Sequence, residues 1–300
     1  MELKSDSLIL SYKDLLFSYD PLVTILNNNH NTFAKLFGVP FDFTSTYRSG
    51  SRFAPNAIRE SFMNIELFSP NFGIDLENLS FQDLGNLNRT ANIDKMQNNV
   101  EKVASEIISE NYSVGILGGE HSISYGAFKS LPPDVGIIIF DAHFDLRDTY
   151  EDLTMSHATY LRRYIEEFGC NHIIHVGGRA GAKEEWDYIK NYDLTVITDQ
   201  TIKLGDSYLI LKDYLKDFSK IYVSIDMDVI DPSSVPGVGN PEPNGISIEK
   251  LLQFFNILKG KNIIGFDIVE VCPPYDTGIS SIVAAKCLCE FLTLSYLGHK

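Results

Sequence analysis

Asp141-Ala142-His143-Phe144-Asp145 follows directly on an apolar run over residues 135–140. Side chains alternate along a strand, so a strand continuing through 145 would turn Asp141, His143 and Asp145 to one side. A second acidic pair, in Asp226-Met227-Asp228, follows the apolar Ile221-Tyr222-Val223. Four carboxylates and an imidazole in one partly dry cleft carry too much negative charge to persist without cations. His121, on the turn Gly118-Gly119-Glu120-His121, adds a second imidazole. The pattern predicts a metal site, and one built for two metals. Carboxylate and imidazole donors without thiolate suit hard to borderline ions such as Mn²⁺, and zinc less specifically.

Something must bring these groups together. Short β-branched apolar runs alternate with longer segments of helical period. The pattern predicts strands over 34–39, 80–84, 113–117, 135–141, 172–176, 194–197, 220–226 and 262–268. Helices are expected over 55–65, 93–110, 122–130, 157–168, 184–191, 206–217, 247–258 and 280–297. Gly136-Ile137-Ile138-Ile139-Phe140 is apolar at nearly every position, so both of its faces must be covered. The expected fold class is therefore α/β: one domain over residues 1–300, a three-layer sandwich around a mainly parallel sheet. Such sheets bind ligands beyond the carboxyl ends of their strands. Gly118 to His121, Asp141 to Asp145, Asp226 to Asp228 and Val269-Glu270 all follow predicted strands, so all fall at that one edge.

These segments carry a family resemblance. Gly118-Gly119-Glu120-His121-Ser122-Ile123, Asp141 to Asp145, Ser224-Ile225-Asp226-Met227-Asp228-Val229-Ile230-Asp231-Pro232 and Asp267-Ile268-Val269-Glu270-Val271 look like the signature blocks of the ureohydrolase (arginase/agmatinase) family. Phe37-Gly38-Val39-Pro40-Phe41-Asp42 and Tyr47-Arg48-Ser49-Gly50-Ser51-Arg52-Phe53-Ala54-Pro55 resemble its amino-terminal block, so the likeness runs over roughly residues 35–297. It implies an eight-stranded sheet and two Mn²⁺ ions per chain. It also implies that His121 and Asp145 hold one manganese, His143 and Asp228 the other, and that Asp141 and Asp226 bridge or chelate. By the same resemblance His157 is a proton shuttle and Glu270 the carboxylate that holds a substrate guanidinium. Residue types alone leave His157 open as a helix-start residue and Glu270 as half of a structural ion pair.

The chemistry explains the residue types. A guanidinium carbon is a poor electrophile and water a poor nucleophile, but two metals sharing a water lower its pKa and present hydroxide. Glu270 can orient the planar cation by paired charge-assisted hydrogen bonds. Asp145 can relay a proton to the leaving amine, and the products are urea and an amine. Asp145-Leu146-Arg147-Asp148-Thr149-Tyr150-Glu151-Asp152 and Glu270-Val271-Cys272-Pro273-Pro274-Tyr275-Asp276 resemble agmatinases more than arginases. Agmatine is thus the expected substrate, with guanidinobutyrate, arginine and other guanidines as alternatives. A formimidoyl or amide hydrolase, or a non-catalytic relative, fits the intact residue set and Glu270 less well. Arg147 would repel a dication if it faced the pocket. Val238 and Asn240 replace two threonines of the usual P-G-T-G-T-P-E stretch, and Asn86 stands where the family usually has Asp.

The formal net charge of −15 argues against a nucleic-acid surface and is compatible with steering a cationic small molecule. Cys170, Cys272, Cys287 and Cys289 form no C-x-x-C pair and read as buried thiols. No leader pattern is present, and the apolar run over 280–297 is interrupted by Lys286 and Glu290, so a cytoplasmic protein without membrane contact is expected. The resemblance implies a homo-oligomer, trimer or hexamer. His172 and His175 read as packing or loop residues, and His30 and His299 carry no motif. Gly177-Gly178-Arg179 ends a strand, either as cleft lining or as a plain turn.

Overall fold

The structure is a computed structural model that describes residues 11–17 and 32–299; His30 lies outside them. The strands are β1 (Leu16–Phe17), β2 (Ala34–Gly38), β3 (Phe68–Ser69), β4 (Ile74–Asp75), β5 (Gln82–Leu87), β6 (Ser113–Leu117), β7 (Val135–Phe140), β8 (Ile173–Val176), β9 (Thr195–Ile197), β10 (Lys220–Asp226) and β11 (Asn262–Val269). The helices are α1 (Ala54–Phe62), α2 (Ile93–Ser109), α3 (Ile123–Lys129), α4 (Tyr160–Phe168), α5 (Lys183–Tyr192), α6 (Asp199–Leu204), α7 (Ser207–Tyr214), α8 (Ile248–Ile257) and α9 (Ile279–His299). β3 and β4 form a small hairpin, and the other strands make one sheet in the order β1-β5-β2-β6-β11-β10-β7-β8-β9. Eight of these strands run parallel, as expected. The unforeseen ninth, β1, pairs antiparallel with β5 through only two residues, too few to leave a periodic signal.

Alternation along the strands builds the three layers. Ile138 and Phe140 of β7, with Ile221, Val223 and Ile225 of β10, join a core shared with α1, α7, α8 and α9. Val135, Ile137 and Ile139, with Tyr222, join the opposite core, which α2, α3, α4 and α5 cover. The central strands β2, β6, β7 and β8 are buried at every position, and β10 at all but its first, which is why their runs are nearly continuously apolar. Side-chain caps start several helices: Asn92 accepts from Lys95 N, Thr198 from Thr201 N and Ser247 from Lys250 N.

α9 corrects one expectation. By length and composition it is apolar enough to cross a membrane, and two charges do not change that. Here 78% of its most apolar window is buried inside the fold. Lys286 Nζ lies 2.9 Å from Glu290 Oε1, and Ser69 Oγ donates to Glu290 Oε2 at 2.7 Å, so the buried acid is partnered. All four cysteines are buried and free.

Candidate metal centre and active site

β6, β11, β10 and β7 lie side by side in the middle of the sheet, and the loops at their carboxyl ends carry the candidate residues. After β6, the chain turns at Gly118-Gly119. A Cβ on Gly119 would lie 1.8 Å from the Phe41 carbonyl oxygen, so only glycine fits this turn. Glu120 N donates to that same carbonyl, and Glu270 N donates to Gly119 O. β10 ends at Asp226, whose Oδ1 accepts from Asp228 N at 2.8 Å. This tight turn aims both acids at the cleft.

β7 ends at Phe140, not at 141 or beyond, so strand alternation does not place Asp141, His143 and Asp145. A loop does. Asp141 Oδ1 accepts from His143 N at 2.7 Å, and Asp145 adopts φ 54°. Glu270, just past β11, adopts φ 63°. Left-handed backbone is uncommon for non-glycine residues, and Asp tolerates it better than Glu, so Glu270 carries the greater strain, of the kind that gathers at functional sites. His157 likewise lies in a turn, because α4 starts only at Tyr160.

The residues converge. His121 Nδ1 lies 2.9 Å from Asp141 Oδ2 and 3.4 Å from both Asp145 Oδ2 and Asp226 Oδ2. His143 Nδ1 lies 2.8 Å from Asp228 Oδ2 and 3.8 Å from Asp141 Oδ1. Two groups could hold a metal ion, His121/Asp141/Asp226 and Asp141/His143/Asp228, and Asp141 belongs to both. Asp145 stands beside the first. His121 Nδ1 and Asp141 Oδ2, buried and 2.9 Å apart, make no well-aligned hydrogen bond to each other or to any other group. Two orphaned ligand-type atoms facing one point are what a cation would satisfy. The donor set of two imidazoles and four carboxylates also fits hard to borderline cations.

The electrostatics agree. Burial and the charges of Asp145 and Asp228 raise Asp141 to about 6, and burial with Asp228 and Asp141 pushes Asp226 well above the carboxylate range. Burial opposes a charged His121, but Tyr160 and the surrounding acids push its pKa well above the ordinary imidazole value. For His143 burial is likewise outweighed, chiefly by Asp228. Asp228 itself falls to about 2: burial works against its charge, and His143 more than compensates. Without cations, the cluster collects protons in their place.

Neighbouring groups fix the candidate ligands. Ser224 Oγ donates to Asp267 Oδ1 at 2.6 Å and so accepts from His121 Nε2–H at 3.0 Å. That relay leaves the His121 Nδ1 lone pair facing the carboxylates. Tyr160 Oη also lies 2.9 Å from Nε2, and Tyr222 Oη donates to Asp267 Oδ2. His175, fully buried on β8, meets the His143 carbonyl through Nε2 at 2.7 Å. Arg179 lies at the same edge and directs Nε, Nη1 and Nη2 onto five main-chain carbonyls, including Asp228 O and Glu242 O at 2.8 Å. Residue type and spacing gave Ser224, Tyr160 and His175 no role, since neutral polar residues and a strand histidine carry no motif.

Above the cluster lies a cleft of about 380 Å³, lined among others by Glu270, His157, Arg147, Tyr150, Glu185 and Asn240. Glu270 Oε1 accepts from His121 N at 2.8 Å, and a Cβ on Gly239 would lie 2.9 Å from Oε2. Burial, then the nearby Glu120 charge, raises Glu270 well above the usual range. Such a carboxylate gains from a cationic partner. Burial lowers His157, against the pull of Glu120. Arg147 does face the cleft: it stacks 4.8 Å over the Tyr150 ring, with Nε 3.8 Å from Glu185 Oε2. Glu185 in turn accepts from Leu146 N and Ala182 N, tying the start of α5 to this loop. Of the substituted positions, Asn240 lines the cleft, whereas Val238 is buried and bridges to Val271. Asn86 accepts from Arg59 Nη1 at 2.6 Å and is structural.

Known proteins share this arrangement of sequence and fold. The arginase family model matches residues 33–293. The agmatinase of Halalkalibacterium halodurans is 33% identical over 285 residues, covering 91% of this chain and 95% of that protein. The N(1)-aminopropylagmatine ureohydrolase of Thermococcus kodakarensis is 35% identical over 257 residues, covering 84% and 87%. The solved agmatine ureohydrolase of Thermoplasma volcanium superposes with a TM-score of 0.85 at 34% identity, covering 93% of this chain and 95% of the other. This chain belongs to the arginase family, and among ureohydrolases it is most like the agmatinases.

Proposed function

We propose that this chain is a binuclear manganese hydrolase that cleaves the guanidinium group of agmatine to putrescine and urea. The observation that carries the reading is the pair of ligand groups sharing Asp141 beneath the buried Glu270 carboxylate. His121, Asp141, Asp145 and Asp226 would hold one ion, and His143, Asp141, Asp226 and Asp228 the other. When bound, the ions supply charge neutralisation and a water activated for attack at neutral pH.

The chain's own residues supply the rest. Glu270 binds the planar cation and turns its carbon toward the cluster. Its Oε1 is braced by His121 N, so the carboxylate is oriented before substrate arrives. Asp145 Oδ2, at the cluster's edge, takes the proton released by the nucleophile and passes it to the leaving nitrogen. His157, across the cleft, exchanges protons with solvent and product. The relatives named above support agmatine as substrate. Glu185 beside Arg147 offsets that cation, so a terminal ammonium meets a near-neutral wall.

A guanidino acid is the second reading, favoured by Arg147 on the cleft wall. Urea release with Mn²⁺ from agmatine, arginine, 4-guanidinobutyrate and 3-guanidinopropionate separates the two. The highest kcat/KM is expected for agmatine. A preference for a guanidino acid would favour the second reading, and no urea from any of them would overturn both.

A further inference from the structure

We propose that Thr44 is a positioning residue that fixes the tautomer and orientation of His157 through a Glu120–Thr44–His157 relay. The inference rests on the reading of His157 as a proton carrier. Thr44 lies in the loop after β2, buried, 113 residues from His157 and 76 from Glu120. Its amide donates to Glu120 Oε2 at 2.7 Å and its hydroxyl to Glu120 Oε1 at 2.5 Å. Ser122 Oγ donates to Oε1 as well, at 2.6 Å, which holds the carboxylate in place.

A threonine hydroxyl has one proton and two lone pairs. Its proton is directed at Glu120, so toward His157 the oxygen can only accept. It receives His157 N–H at 3.0 Å and lies 3.3 Å from Nδ1. An accepting oxygen at Nδ1 selects the neutral tautomer with its proton there. Nε2 is then the basic nitrogen left for the cleft that His157 lines. Tyr150 packs edge-on against the ring, centroids 5.9 Å apart, and limits rotation. Asp267–Ser224–His121 repeats the same carboxylate–hydroxyl–imidazole order on the other side of the site. In both cases a neutral hydroxyl transmits the orientation of a buried acid to an imidazole.

The test compares Thr44→Val, which keeps the shape and loses the hydroxyl, with Thr44→Ser, which keeps the hydroxyl. Thr44→Val is expected to lower kcat for agmatine by about tenfold or more, with KM and manganese content nearly unchanged and the acid limb of the pH profile displaced. Thr44→Ser should stay within about threefold of the parent. In a His157→Gln background, Thr44→Val should cost nothing further, because both changes remove one function. Independently of activity, ¹⁵N-histidine spectra of the Mg²⁺-loaded protein should show His157 protonated at Nδ1, and Thr44→Val should lose that signature. If Thr44→Val fails to fold, the parent spectrum and Thr44→Ser still decide. An Nε2–H tautomer in the parent, or losses that multiply in the double variant, would overturn the proposal. Absence of urea from any guanidine would instead overturn the proposed function, leaving the tautomer measurement to stand alone.

Discussion

Titrating Mn²⁺ into the metal-free chain near pH 7.5 is expected to expel at least two protons per chain, and about one more below pH 6. The count follows from the site. An imidazole ligates only when neutral, and His121 and His143 are both held well above the usual imidazole range by the acids around them. Asp226, pushed up by burial and its acidic neighbours, adds to that minimum, and Asp141, raised to about 6, adds a further proton once the pH falls below that value. Each of these groups binds more protons in the metal-free chain than in the loaded one, so manganese affinity rises with pH. Each proton displaced contributes about 1.4 kcal/mol per pH unit. Two protons give about 3 kcal/mol per unit near neutrality, and each further proton adds about 1.4. Calorimetric titration in buffers of different ionisation enthalpy reads the count directly. Near-zero release at neutral pH would refute the reasoning, as would a release that fails to grow when the pH drops through 6.

Four substitutions give separate outcomes. Glu270→Gln keeps an acceptor for His121 N but removes the charge, and should cost about 1.5–3 kcal/mol in kcat/KM, a loss of roughly 10- to 160-fold, with metal content unchanged; elemental analysis beside kinetics checks both halves. Asp141→Asn alters the acid common to both candidate groups, so both ions should be lost together on desalting, where Asp228→Asn should spare one. Gly119→Ala drives a Cβ into the Phe41 carbonyl and should cost about 3 kcal/mol of stability, read by urea denaturation of the metal-free chain.

The layer order was legible in the sequence because the central strands bury both faces and leave nearly continuous apolar runs, although the outer strands β5 and β9 are partly exposed. Placement of the acids at one edge was legible for the same reason: each polar cluster follows such a run. The way Asp141, His143 and Asp145 come together was not. Alternation suggested a continuing strand, whereas an Asp141–His143 turn and a left-handed Asp145 do the work, and local periodicity does not encode tertiary loop geometry. Thr44, Ser224 and His175 were unreadable because their importance depends on which distant residue they touch: Thr44 meets a partner 113 positions away. Arg147 was found in the sequence without a direction, and only packing against Tyr150 and Glu185 supplies one. The apolar length of α9 outweighs its two charges, Lys286 and Glu290, because Glu290 is satisfied inside the core.

The most direct test of two ions acting together between these residues is to strip the protein with chelator, add Mn²⁺ back in measured steps, and follow urea release from agmatine. Activity is predicted to be lost on stripping and to return to a plateau at about two manganese per chain. Full activity in chelator, or a plateau reached at one ion, would contradict it.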